Sequence, residues 1–196
     1  MARFLGRAWA DAGHQVSFGT RDPEQTRARE EWAGSDLPLA AYGDLKGEVY
    51  VNSTRGDGSL AALQAVGPAL NGKVVIDTSN ALDSSRGFPP SLFIDSLAEQ
   101  LQRALPEARL VKMFNTMAHE VMVDPAGLGQ ESTIFVAGND EAARQTAAKL
   151  AGDLGWTDVL DLGDLTAARG LEMYIPLWLR IYGALGRPEF NIKVVR

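Results

Sequence analysis

Apolar positions keep helical spacing from the start of the chain: Phe4, Leu5, Ala8, Trp9 and Ala12 share one face, and Gly13 supplies a stop. A short strand, QVSFG, follows. Asp22-Pro23 then opens a helix expected to run to about Ala33, with Asp22 as N-cap and Pro23 at the first helical position. EVYVNS reads as the next strand, and Leu60, Leu63, Val66, Ala69 and Leu70 form the face of a helix ending near Gly72. KVVIDTS is an almost continuous apolar run that turns polar only at its end, the pattern of a strand covered on both faces. A helix begins near Ser96 and stops before Pro106, and RLVKMFN and STIFVAG are further strands. A helix from about Asp140 to Leu154 ends at Gly155. TDVLDLG is a candidate strand, and the last element runs from about Ala167 to Gly183. SNALDSSRGFPPS is the longest irregular stretch.

This alternation of apolar runs and helical faces, joined by short links, is the signature of a parallel α/β layer structure. A dinucleotide-binding unit of that class opens strand, glycine-rich turn, helix, whereas this pattern opens at the helix. The expected fold is therefore a Rossmann-like, mostly parallel sheet with helices on both faces. It lacks the first strand and carries a C-terminal helical segment. One domain spans 1–196, with 163–196 as a helical appendage. The missing strand would lie mid-sheet, so either further chain precedes Met1 or the fold manages without it.

The polar residues that interrupt this pattern sit where ligands bind in open α/β sheets, at the carboxyl ends of strands. Thr20 and Arg21 end the first strand, offering a compact hydroxyl and a rigid fork of donors suited to the 2′-phosphate of NADP. Asn52, Ser53 and Thr54 end the next, Thr78 to Asn80 a third, and Phe114, Asn115 and Thr116 a fourth. Singly these are ordinary turn residues. Repeated at equivalent strand ends, they suit neutral hydrogen bonding to ribose, pyrophosphate and carboxamide groups. Arg55 either reaches a phosphate or faces solvent, and Lys112, inside a strand, is expected to point away from the site. His119 and Glu120 could form an acid–base pair, but neighbours on a helix point about 100° apart. His14 follows a helix-ending glycine and reads as structural.

Composition narrows the chemistry. The formal net charge of -6 argues against nucleic acid as a partner. The absence of cysteine excludes disulfides and thiolate chemistry, and two histidines are too few for a histidine-rich metal cluster. No apolar run is long enough to span a membrane and no signal peptide is evident, so a cytoplasmic location is expected. The segment LEMYIPLWLRIYGALG is apolar on more than one side. It must be covered by the sheet or by a second copy, making a homodimer through this helix an expectation. Met173, Trp178, Tyr182 and Leu185 could alternatively line a pocket for a flat ring.

AGHQVSFGTRDP, GKVVIDTSNAL, VKMFNTM, IFVAGND and ARGLEMYIPLWLRIYGALG together resemble the NADP-dependent reductases of coenzyme F420, an 8-hydroxy-5-deazaflavin, in order from residue 1 to about 187. The nucleotide-binding unit also resembles the cytoplasmic domain of the ferric reductases called six-transmembrane epithelial antigens. The resemblance implies that Thr20 and Arg21 hold the 2′-phosphate of NADP, and that Asn80, Asn115 and Thr116 stand near the nicotinamide. Ala2, in MARFLG, takes the place of the third glycine of the dinucleotide fingerprint. The first two glycines, which let backbone approach the pyrophosphate, have no counterpart here. The implied activity is hydride transfer between NADPH and coenzyme F420, a flavin or another flat small-molecule electron acceptor. Two alternatives remain open: a binding domain without turnover, and an inactive homologue.

Overall fold

In the computed structural model, residues 1–81 and 94–196 are described, so most of SNALDSSRGFPPS lies outside the described residues. The continuous apolar runs become inner strands. β4 (Val74–Asp77) is buried at all four positions and β5 (Arg109–Met113) at four of its five. They sit within a five-stranded sheet of order β3 (Val49–Asn52), β4, β5, β6 (Ile134–Gly138), β7 (Val159–Asp161). Neighbours are parallel except β5 and β6. A parallel return needs a crossover, usually a helix. The stretch after β5 holds only the five-residue α5 (His119–Val123) and a 3₁₀ turn at Pro125–Leu128, so β6 starts at the end where β5 stops and runs back.

Side chains alternate across this sheet. Val74, Ile76, Val111, Met113, Ile134 and Val136 pack toward α1 (Ala2–Asp11), α5 and α6 (Glu141–Gly152), whose Leu5, Trp9, Val121, Ala143 and Ala147 close that layer. Val75 and Leu110 pack toward α3 (Gly56–Val66) and α4 (Leu97–Ala104), against Leu63, Leu70 and Leu101. The start of α7 (Ala168–Leu185) joins this second layer through Ala168.

A separate two-stranded parallel sheet pairs β1 (Phe18–Thr20) with β2 (Leu39–Ala41), in register Phe18 to Leu39. Among the described residues no strand lies between β1 and β3, each of which pairs on one side only. That agrees with a Rossmann-like sheet without its first strand. The three-residue β2 was not foreseen, being too short to show a period. The helix expected from Asp22 to Ala33 is also shorter, ending at Arg27 as α2 (Pro23–Arg27). Its capping is as expected: the Asp22 side chain accepts from the Gln25 N–H. What stops it is tertiary. Arg27 donates to the carbonyls of Ser35 and Leu37, both at 2.7 Å. Trp32 meanwhile packs edge-on to Phe18, with the Arg3 and Arg27 guanidiniums over its ring.

Candidate functional site

The strand register builds the site. Asn52 stands opposite Asp77, and Asp77 opposite Lys112, so three polar side chains line up on the face that meets α3, α4 and α7. Asn52 donates from Nδ2 to Asp77 Oδ1 at 2.8 Å, and the same oxygen accepts from Ser79 N and Oγ. Lys112 donates to Asp77 Oδ2 at 2.8 Å and to the Ser79 carbonyl at 2.5 Å. It also pairs with Glu172 of α7 at 2.9 Å. Asp77, Lys112 and Glu172 are all fully buried. Burial disfavours the lysine charge, but Asp77 and Glu172 outweigh it, and the Lys112 pKa stands above the ordinary lysine value.

The three strand-end clusters expected from the sequence join this row. Asn52 Oδ1 accepts from Thr54 N and Oγ1, Thr54 Oγ1 meets Ser59 Oγ of α3 at 2.9 Å, and Ser53 Oγ lies 3.0 Å from Thr78 Oγ1. Asn80 and Asn115 form a reciprocal pair. Asn80 Nδ2 donates to the Asn115 carbonyl at 3.1 Å, and Asn115 Nδ2 donates to Asn80 Oδ1 at 2.8 Å. Asn115 Nδ2 also donates to the Leu171 carbonyl of α7 at 3.0 Å. Both amide protons are thereby used, and Asn115 Oδ1 is buried without a donor among the described residues. Such an orphaned acceptor is rare inside a protein. Phe114 immediately before it adopts φ +67°, a left-handed conformation uncommon for a bulky residue and typical of functional sites. Thr116 beside them is buried.

Thr20 and Arg21 occupy a second corner, on the other sheet. Thr20 Oγ1 lies 2.7 Å from Thr26 Oγ1 of α2, while Arg21 is exposed and engages no described residue. With Asp22 committed to capping α2, the guanidinium is available to an anion. Arg55 instead pairs with Asp57 at 3.2 Å.

Two expectations need correction. Lys112 does not point away from the site; it is the hub of the buried row. A charged residue inside an apolar strand was itself the signal, since lysine is almost never fully buried without a partner. Its partners Asp77 and Glu172 were not singled out at all. His119 and Glu120 approach within 3.3 Å despite their different helical directions, at the first turn of α5 where the His119 ring packs on Phe4. His14 pairs with Asp153 at 3.0 Å, consistent with a structural place.

A mostly parallel five-stranded sheet flanked by helices on both faces is a Rossmann-like α/β fold, in which ligands bind at the carboxyl ends of the strands. No family model matches the sequence. The F420-dependent NADP reductase of Methanocaldococcus jannaschii is 28% identical over 136 residues, covering 67% of this chain; the chain spans 60% of that relative's length. The enzyme of the same name from Methanothermobacter marburgensis is 28% identical over 188 residues, 87% of this chain and 82% of its own. The crystal structure of a candidate F420-dependent NADP reductase from Arthrobacter sp. FB24 superposes with a TM-score of 0.92 at 46% identity. That match covers 99% of this chain and 94% of the other. The chain belongs to the F420-dependent NADP reductase family.

Proposed function

We propose that this protein is an NADP-linked oxidoreductase acting on coenzyme F420 or a comparably flat acceptor. The kinship to reductases named for both molecules supports the pair of substrates. The observation that carries the nucleotide choice is the unengaged Arg21 guanidinium beside Thr20, a fork matched to the 2′-phosphate that distinguishes NADP from NAD.

NADPH supplies the hydride and the deazaflavin accepts it, so the cofactors carry the chemistry. The protein's part is orientation. Thr20 and Arg21 hold the adenosine end. The Asn80–Asn115 pair shapes the strand end where the nicotinamide would stand, each amide holding the other in place. Asn52, Ser53, Thr54 and Thr116 complete the polar wall, Asn52 chiefly by holding Asp77. The proton that the reduced deazaflavin takes up along with the hydride would come from solvent, and holding the reacting atoms at ~3–3.5 Å would be the protein's main contribution.

The test is to mix protein, NADPH and coenzyme F420 and follow absorbance, with NADPH binding titrated in parallel. Hydride exchange with a preference for NADPH over NADH is expected. NADPH binding without exchange would overturn the acceptor, and equal affinity for NADH would overturn the role of Arg21. Two copies are further proposed to pair along the distal half of α7, where Leu177, Leu179, Tyr182 and Leu185 are exposed. Sedimentation should show a dimer that Leu179→Glu dissociates; a monomeric unsubstituted protein rejects the pairing. No described helix is long and apolar enough to cross a membrane.

A further inference from the structure

We propose that Lys112 is a positioning residue: clamped between Asp77 and Glu172, it fixes where the Asn80–Asn115 pair stands. An ammonium has three protons. Nζ donates to Asp77 Oδ2 at 2.8 Å and to the Ser79 carbonyl at 2.5 Å, and Glu172 Oε1 stands 2.9 Å away as its ion-pair partner, so the ammonium is held on three sides. Two of these acceptors adjoin the amide pair. Ser79 precedes Asn80, and Glu172 follows Leu171, whose carbonyl accepts from Asn115. Lys112 and Asn115 therefore grip the same two segments from the same stretch of chain. Glu172 extends the clamp by accepting from the Leu97 and Ala98 N–H groups, which seats the first turn of α4.

Stability does not explain three fully buried charges. Packed apolar residues in place of a buried ion pair are commonly neutral or stabilising. What the charges provide is direction: each hydrogen bond constrains one backbone segment relative to the sheet. Phe114, between the two grips, is held in its left-handed conformation by the segments on either side.

The amide geometry is tested independently of turnover, whereas the effect on turnover rests on the NADP-linked reading above. Lys112→Met strips two carboxylates of their counter-ion. Folding is therefore checked first by the indole N–H signals of Trp9 and Trp156, which donate to Leu150 and Met122 in the opposite layer. Glu172→Gln is the gentler variant: it retains the Lys112–Asp77 pair, removes the negative charge that faces Lys112, and sets an amide NH₂ against one of the donors that Glu172 meets. In the folded variant the indole signals persist while the side-chain amide signals of Asn80 and Asn115 shift and exchange faster. With saturating acceptor, kcat falls about tenfold or more while KM for NADPH moves less than about twofold. If Lys112→Met does not fold, Glu172→Gln decides. Unmoved Asn80 and Asn115 signals in a folded variant overturn the proposal, as does lower stability with unchanged kcat. If the unsubstituted protein turns over nothing, the NADP-linked reading fails and the amide signals alone decide the clamp.

Discussion

Gly56, the first residue of α3, presses against the loop that carries Asn80. A Cβ at this position would lie 2.0 Å from the Asn80 carbonyl oxygen and 3.1 Å from its carbon, both backbone atoms that cannot swing aside. Restoring an ordinary contact in Gly56→Ala requires α3 and the loop to part by more than about 1 Å, and such overpacking costs about 1–3 kcal/mol. Alanine recovers up to about 1 kcal/mol of helix propensity, less in a first turn, so a net loss of about 1–2 kcal/mol is expected. Gly58, two residues on, is the control. Nothing lies within 4 Å of its Cβ position, and Gly58→Ala should stabilise by about 0.5–1 kcal/mol. The two variants should move the urea midpoint in opposite directions. The displacement also reaches the site, because bonds of 3.1 and 2.8 Å between Asn80 and Asn115 do not survive an opening of that size. Turnover in Gly56→Ala should fall by up to about 10²-fold, and that of Gly58→Ala should be unchanged. A fully active Gly56→Ala as stable as the parent, or midpoints that shift together, would refute the close approach.

Glu99 ties α4 to α7 and should show itself in acid. Arg169 donates to it from two nitrogens, at 2.9 and 2.6 Å, and Ser96 closes a capping box on it. These contacts, the Arg169 hydrogen bond foremost, hold its carboxyl down at about 2 against an ordinary 4.5. The folded value is the lower, so the contribution is present above the ordinary value and is lost as pH falls toward about 2. The ceiling is about 3 kcal/mol, reduced by screening to about 1–2 because Arg169 is a third exposed. Glu99→Gln keeps the capping hydrogen bonds, and its stability deficit should shrink as pH falls through that window; a constant deficit in urea titrations rejects the assignment. Arg21→Ala should weaken NADPH binding much more than NADH binding by calorimetry, and equal losses contradict a 2′-phosphate contact.

Much of this architecture is legible locally. Asp22, Ser96 and Asp140 cap helices where the sequence places them, because a short acceptor side chain needs only the next turn of its own chain. The buried runs at Val74–Asp77 and Arg109–Met113 declare inner strands for a similar reason: both faces are covered, so no polar residue alternates. The hydroxyl and amide clusters after those strands are equally local, since turn residues follow directly on the apolar runs in the sequence.

Pairing across the chain is another matter. Whether Lys112 faces Asp77 or solvent depends on a register between strands 35 residues apart, and a slip of one position would turn it to the other layer. Glu172 reaches the same ammonium from a helix whose own pattern says only that it must be covered. The end of α2 is decided by carbonyls that Arg27 meets beyond the helix, and the reversal of β6 by a link too sparsely helical to cross over. Side-chain period and capping chemistry act within a few residues, so the sequence by itself determined the longer elements and the polar ends of the strands, but neither β2 nor the end of α2. Partners for the buried charges, and the orphaned oxygen of Asn115, exist only once the sheet has closed, because desolvation acts on groups after packing has chosen their neighbours.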